Sequence, residues 1–229
     1  MRGGDKVGAI ITAAGDSSRM GGVDKIFAPL CGKPLLAWVA AVFQDCPAID
    51  EIAIALGKWN LERGRRLVAE YGFSKVVAVC HGGQRRQDSV KCGLKHLGGC
   101  QWVVVHDGSR PLVSTDLIER GLNEAQESGA AIAAAPVRDT IKVVSPAHLV
   151  EATPQRHTLW AAQTPQVFRF SVLAQAHEQV GEDVTDDATM VERMGHRVKV
   201  YMGSHENIKV TTPEDLALAE VILRNRKAS

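Results

Sequence analysis

The sequence predicts an α/β protein: one domain over residues 1–229, built on a mostly parallel sheet with helices on both faces and an arm projecting from it. Three observations predict this. Short β-branched runs alternate with segments of helical spacing along most of the chain. The alternation stops after Pro136, where an extended, proline-broken stretch runs to about Arg156, and then resumes. The composition, 45% apolar and 23% charged with a net charge of +1, is that of a chain able to bury one large core.

The elements follow in order. Val7–Thr12 is β-branched and apolar and reads as the first strand. Pro34–Gln44 has helical spacing, with Pro34 at a position where a missing N–H costs nothing. Glu51–Leu56 is the second strand and Lys58–Tyr71 the second helix; Lys75–Cys80 and Asp88–His96 repeat the pattern. Trp102–His106 is the fourth strand, Thr115–Glu127 the helix after it, and Ala130–Pro136 the fifth strand. After the arm come helices at Ser171–Gln179 and Asp186–Met194, a strand at Arg197–Met202 and a helix at Pro213–Arg226. Such an order is Rossmann-like, and ligands then sit beyond the carboxyl ends of the strands.

Composition also excludes classes. A balanced charge carries no footprint for nucleic acid. No apolar run approaches the length of a membrane span. Arg2 and Lys6 before Val7–Gly15 imitate a signal peptide only weakly, since the apolar part contains glycine and runs into Asp16-Ser17-Ser18-Arg19. Five cysteines without a C-x-x-C argue for buried thiols in a reducing, cytoplasmic setting, and the histidines show no metal-binding spacing.

The loop after the first strand is Ala13-Ala14-Gly15-Asp16-Ser17-Ser18-Arg19-Met20-Gly21-Gly22-Val23-Asp24-Lys25. Its small residues let backbone N–H groups approach phosphate oxygens, and Arg19 and Lys25 add fixed positive charge. It is neither G-x-G-x-x-G nor a P-loop, so dehydrogenase and ATPase readings lose weight. Asp107 ends the fourth strand, a favoured functional position, and Asp186 with Asp187 opens a helix, where a capping role outweighs a catalytic one.

This loop, with Gly32-Lys33-Pro34-Leu35-Leu36, resembles the sugar-nucleotide transferase superfamily. Later segments narrow the likeness: Gly82-Gly83-Gln84-Arg85-Arg86-Gln87-Asp88-Ser89-Val90, His106-Asp107-Gly108-Ser109-Arg110-Pro111, Ala135–Lys142, Thr164-Pro165-Gln166, Thr185-Asp186-Asp187-Ala188 and Asn207–Leu216. In that order they resemble the 2-C-methyl-D-erythritol 4-phosphate cytidylyltransferase family over nearly the whole chain. The resemblance implies that CTP and the sugar-alcohol phosphate give the CDP-linked alcohol and pyrophosphate, with Mg2+ held mainly by nucleotide phosphates and Asp107 as the one candidate protein contact.

By position, the resemblance makes Arg19 and Lys25 transition-state stabilisers, and Arg156 and Lys209 the pair that positions the substrate phosphate. Ala13, Ala14, Gly15, Gly83, Gln84 and Ser89 would hold CTP, Arg86 would add a phosphate or structural contact, and Asp107, Arg110, Thr140, Thr164 and Thr185 would surround the alcohol substrate. The stretch 137–156 would be a β-arm exchanged between the subunits of a homodimer. Two positions depart from the family pattern: Ser17 replaces the usual second glycine and Asp24 the usual proline, as in the molybdenum-cofactor nucleotidyltransferases. Ribitol 5-phosphate cytidylyltransferase, and a catalytically idle nucleotide-binding regulator on the same fold, are the alternative readings.

Overall fold

A computed structural model describes residues 4–15 and 24–228. Its centre is a sheet of seven strands: β1 (Val7–Ala13), β4 (Glu51–Leu56), β5 (Val76–His81), β6 (Trp102–Asp107), β7 (Ala130–Pro136), β10 (Trp160–Arg169) and β11 (Lys199–Met202). They lie side by side in the order β11-β7-β10-β6-β1-β4-β5. β1 pairs in parallel with β4 and β6, β4 with β5, and β11 with β7. The mostly parallel sheet is as expected.

Helices α1 (Leu35–Asp45), α2 (Leu61–Glu70), α4 (Thr115–Ser128) and α7 (Pro213–Ala228) cover one face, and α3 (Arg86–Leu94), α5 (Phe170–Gln179) and α6 (Asp187–Arg193) the other. Strand alternation feeds both: Ala9, Ile11 and Val104 point into the first core, while Ile10, Val103 and Val105 point into the second. This two-sided burial is why the strands read as continuous apolar runs rather than alternating ones. α4 shows how local chemistry sets helix ends. Ser114 Oγ accepts from the Leu117 N–H, and Gly129 closes the helix in the left-handed region at φ 79°.

Two differences from the sequence reading matter. Lys58–Asn60 is a separate 3₁₀ turn and α2 begins only at Leu61. More consequential is β10, which the sequence reading did not assign. It lies antiparallel between β6 and β7, and its register with β7 shifts between Ala162 and Gln166. Pro165 cannot donate to a ladder, so it sits in that irregularity and masks the strand in the sequence.

The arm contains a small antiparallel hairpin of β8 (Val143–Val144) and β9 (Val150–Ala152). Ile141, Val143, Val144, Leu149 and Val150 on it are exposed, as is Trp160 at its base. A smaller hairpin, β2 (Pro29–Leu30) with β3 (Lys33–Pro34), precedes α1. All five cysteines are free thiols, two of them buried. Among the described residues, no helix is long and apolar enough to cross a membrane.

Candidate active site

The parallel strands deliver several loops to one edge of the sheet, and two adjoining hollows open there. The first is lined by Ala13, Ala14, Gly15, Lys25, Gly83, Gln84 and Ser89, among others. The second is lined by Arg110, Gln163, Thr164, Thr185 and Asp186, among others. Three side chains border both: Arg86, Asp107 and Lys209.

The first hollow exists because its walls approach closely. A Cβ on Gly82 would lie 2.5 Å from Ala14 Cβ and 2.7 Å from Ser89 Oγ, so only glycine lets the loop after β5 pass the loop after β1. Asp88 fixes the start of α3 by accepting from the Arg85 N–H and pairing with its guanidinium at 2.7 Å. Ser89 is buried there, and its hydroxyl reaches the Arg85 carbonyl only at 3.4 Å. Lys25 is buried on a 3₁₀ turn, Lys25–Phe27.

Asp107 is the hub between the hollows. Its Oδ1 accepts from Arg86 Nε at 3.0 Å, and its Oδ2 faces Lys209 Nζ at 2.9 Å and Arg110 Nε at 3.7 Å. Burial alone would push this carboxyl up, but the charges of Arg86 and Lys209 prevail and hold it well below the usual carboxylate range. Arg86 enters from the first turn of α3 and is clamped on its other side by Asp187, which is fully buried and also lies 3.2 Å from His177 Nε2. Burial works against the Arg86 charge, yet the two carboxylates keep it firmly protonated. The sequence reading treated Asp186 and Asp187 alike as helix-start residues. Asp186 does cap α6, accepting from the Thr189 N–H. Asp187, one residue on, turns inward to Arg86.

A second layer holds the hub in place. Burial lowers the His106 imidazole to about 4, so it is neutral near pH 7. Its Nε2 lies 3.1 Å from the Arg110 carbonyl, which can only accept, so Nε2 carries the proton and Nδ1 is an acceptor. Thr164 Oγ, 3.0 Å from Nδ1, therefore donates to it, and accepts in turn from the Asp107 N–H at 3.0 Å. Thr164 was expected among the substrate-contacting residues. It lines the second hollow, but its hydroxyl proton is directed at His106.

Lys209 is aimed by main chain on both sides. The Val210 N–H donates to the Ser109 carbonyl at 2.8 Å, and buried Asn207 donates through Nδ2 to the Thr164 carbonyl at 2.8 Å. Arg110 Nη1 donates back to the Asn207 carbonyl at 2.7 Å.

The structure thus brings Lys25, Asp107, Arg110, Thr164, Thr185 and Lys209 together with the glycine-rich loops. Thr140 and Arg156 lie on the exposed arm and line neither hollow; Arg156 Nη1 donates to the Arg138 carbonyl at 2.9 Å. Arg19 lies outside the described residues. Sequence reasoning missed His106, Asn207 and Asp187 as supports, although all three stand inside the motifs quoted for their neighbours. No group of three or more His, Cys, Asp or Glu residues is arranged to hold a metal among the described residues. Ringed by three cations, the Asp107 carboxylate does not fit a Mg2+ ligand in this arrangement.

Residues 7–225 match the family described as 2-C-methyl-D-erythritol 4-phosphate cytidylyltransferase, IspD. A protein of that name from Dehalococcoides mccartyi is 52% identical over 96% of this chain and 97% of its own length. Another, from Alkaliphilus oremlandii, is 44% identical over 97% of each chain. Among solved structures, the 4-diphosphocytidyl-2C-methyl-D-erythritol synthase of Anaerococcus prevotii superposes with a TM-score of 0.86 at 30% identity, over 96% of this chain and 97% of that one. The cytidylyltransferase of Thermus thermophilus superposes at 0.77 with 32% identity, over 94% and 98%.

Proposed function

The chain belongs to the 2-C-methyl-D-erythritol 4-phosphate cytidylyltransferase family, and from that premise we propose that its two adjoining hollows are the two halves of one active site. The enzyme is a nucleotidyltransferase of isoprenoid precursor biosynthesis, with CTP and 2-C-methyl-D-erythritol 4-phosphate as substrates. The observation that carries the site assignment is the shared border: Arg86, Asp107 and Lys209 face both hollows at once. Two substrates whose phosphates must meet need such a cationic boundary.

The chemistry explains the residue types. An oxygen of the substrate phosphate attacks the α-phosphorus of CTP. The new P–O bond forms as the bond to the bridging oxygen breaks, and pyrophosphate leaves with that electron pair. The nucleophile is already anionic, so no strong general base is needed. What the protein supplies is position and countercharge. In this reading Gly83, Gln84 and Ser89 hold the cytosine, and Ala13, Ala14 and Gly15 offer backbone to the phosphates. Arg19 and Lys25 take up charge on the leaving group. Lys209 orients the incoming phosphate with Arg156, and Asp107, Arg110, Thr140 and Thr185 surround the alcohol. Thr164 acts through Asp107 and His106.

Arg156 and Thr140 sit on the arm, away from the hollows of their own chain, which supports a homodimer in which each arm serves its partner. The exposed apolar residues of the arm support the same arrangement. Mg2+ is proposed to arrive on the triphosphate's own oxygens. A cytoplasmic location fits five free thiols.

The test is pyrophosphate release with CTP, UTP and ATP crossed against 2-C-methyl-D-erythritol 4-phosphate and ribitol 5-phosphate, with and without Mg2+, in wild type and in the Lys25→Ala and Lys209→Ala variants. Release is expected with CTP and the methylerythritol substrate, and each variant should lose about 10²-fold in turnover. Near-normal turnover in both variants would overturn the site assignment.

A further inference from the structure

Lys25 reaches the nucleotide hollow from a 3₁₀ turn of only three residues, too short to fix a side chain by its own hydrogen bonds. The residue before it supplies the first restraint. Asp24 Oδ1 accepts from the Ile26 N–H at 3.2 Å, and the Asp24 carbonyl accepts from the Phe27 N–H at 3.1 Å. The second restraint comes from outside the turn: Asn60 Nδ2 donates to Asp24 Oδ2 at 2.5 Å.

Asn60 occupies the position just before α2, where an asparagine side chain ordinarily caps its own helix. Here it makes no such bond; its amide is directed at Asp24 instead. Near the start of the same helix, Arg63 lays its guanidinium 4.1 Å from the centre of the Phe27 ring. The start of α2 therefore grips the segment on both sides of Lys25. It lies near enough to do so because residue 64 is glycine: a Cβ there would come 2.2 Å from Leu56 Cδ1 of β4.

We infer that Asn60 is a positioning residue for cytidylyl transfer, setting through Asp24 where the Lys25 ammonium meets the triphosphate. The inference rests on the role given to Lys25 above. It also gives Asp24 a function that a proline could not perform, since a proline has no side-chain acceptor for Asn60.

The test measures kcat and both KM values for Asn60→Ala, Asn60→Asp, the exchanged pair Asp24→Asn with Asn60→Asp, Lys25→Ala, and Asn60→Ala combined with Lys25→Ala, with a thermal melt of each. Asn60→Ala should lose on the order of tenfold in kcat, less than loss of the lysine itself, with the KM for methylerythritol phosphate unmoved. Asn60→Asp should be worse, because two carboxylates then face each other. The exchanged pair restores one amide–carboxylate bond and should recover to within about threefold of wild type. Adding Asn60→Ala to Lys25→Ala should cost nothing further. Wild-type kcat in Asn60→Ala, beside a damaged Lys25→Ala, would overturn the clamp alone. A further loss in the double variant would place Asn60's effect elsewhere and overturn it too. Wild-type turnover in Lys25→Ala would remove the lysine's role and this inference together.

Discussion

Lys209 Nζ lies 2.9 Å from Asp107 Oδ2, so the ammonium assigned to an incoming phosphate already faces a carboxylate. The substrate must compete for it. Asp107→Asn removes the competitor for Lys209 and Arg110 while leaving Arg86 its other partner, Asp187. The expected result is a split: inorganic phosphate, competing for the place of the incoming substrate phosphate, inhibits the variant at lower concentration than wild type, while kcat falls by about tenfold or more because the cations are no longer held in register. Steady-state kinetics with added inorganic phosphate read both quantities. Unchanged inhibition would mean that Asp107 does not restrain these cations.

His106 makes a prediction about pH. Its folded value, about 4, lies below its ordinary 6.5. Between those values the unfolded chain binds a proton that the folded chain refuses, so stability is complete above pH 6.5 and falls as pH drops toward 4. Taken alone, the interval corresponds to about 3 kcal/mol. Urea melts at several pH values across this window should show that slope in wild type and lack it in His106→Gln. The lowered Asp107 and Asp187 carboxyls act in the same direction but below their ordinary 3.8, so they do not obscure the comparison.

Arg86 and Asp187 form a buried pair whose partners cannot be separated cheaply. Asp187→Ala leaves the guanidinium with Asp107 alone and strips His177 of its acceptor. Breaking such a pair costs about 3 kcal/mol or more, about 10 °C in a chain of this size. Glu62→Ala breaks exposed contacts of 3.6 and 3.7 Å to Arg66 and Arg65 and should leave the melting temperature unmoved. Thermal melts of the two variants side by side decide whether burial sets the difference.

Gly82 makes a prediction about nucleotide binding. Gly82→Ala forces a methyl group against Ala14 Cβ, which has no rotamer to escape into, and against Ser89. The KM for CTP should rise about tenfold or more while the KM for methylerythritol phosphate stays put. Equal increases in both would point to general distortion instead of a narrowed nucleotide hollow.

How much of this was legible in the sequence follows from the range of each interaction. The strands β1, β4, β6 and β7 announce themselves because double-sided burial demands continuous apolar runs. β10 does not, because Pro165 and the polar residues around it imitate a loop. The glycine-rich loop after β1 and Lys25 could be located because close backbone approach and countercharge call for particular residue types, whereas Lys209 came only with the family resemblance. Which carboxylate meets which cation could not, since Arg86 pairs with Asp187 across 101 residues of sequence and nothing local distinguishes Asp187 from Asp186. Asn60 likewise falls inside the helix expected over Lys58–Tyr71, and nothing in the sequence directs its side chain to Asp24.

The arm yields the last prediction. If Arg156 serves the hollow of a partner subunit, then Arg156→Ala and Lys209→Ala damage the same composite site from different chains. Each homodimer would be inactive. A mixed dimer would keep one intact site, formed by the hollow of the Arg156→Ala chain and the arm of the Lys209→Ala chain. Unfolding and refolding the two variants together at equal concentration should therefore restore roughly a quarter of wild-type activity, since about half the dimers are mixed and each has one working site of two. Sedimentation confirms that dimers are present. If Arg156 instead acts within its own chain, every site in the mixture lacks one cation, and the restored activity stays at the level of the separate variants.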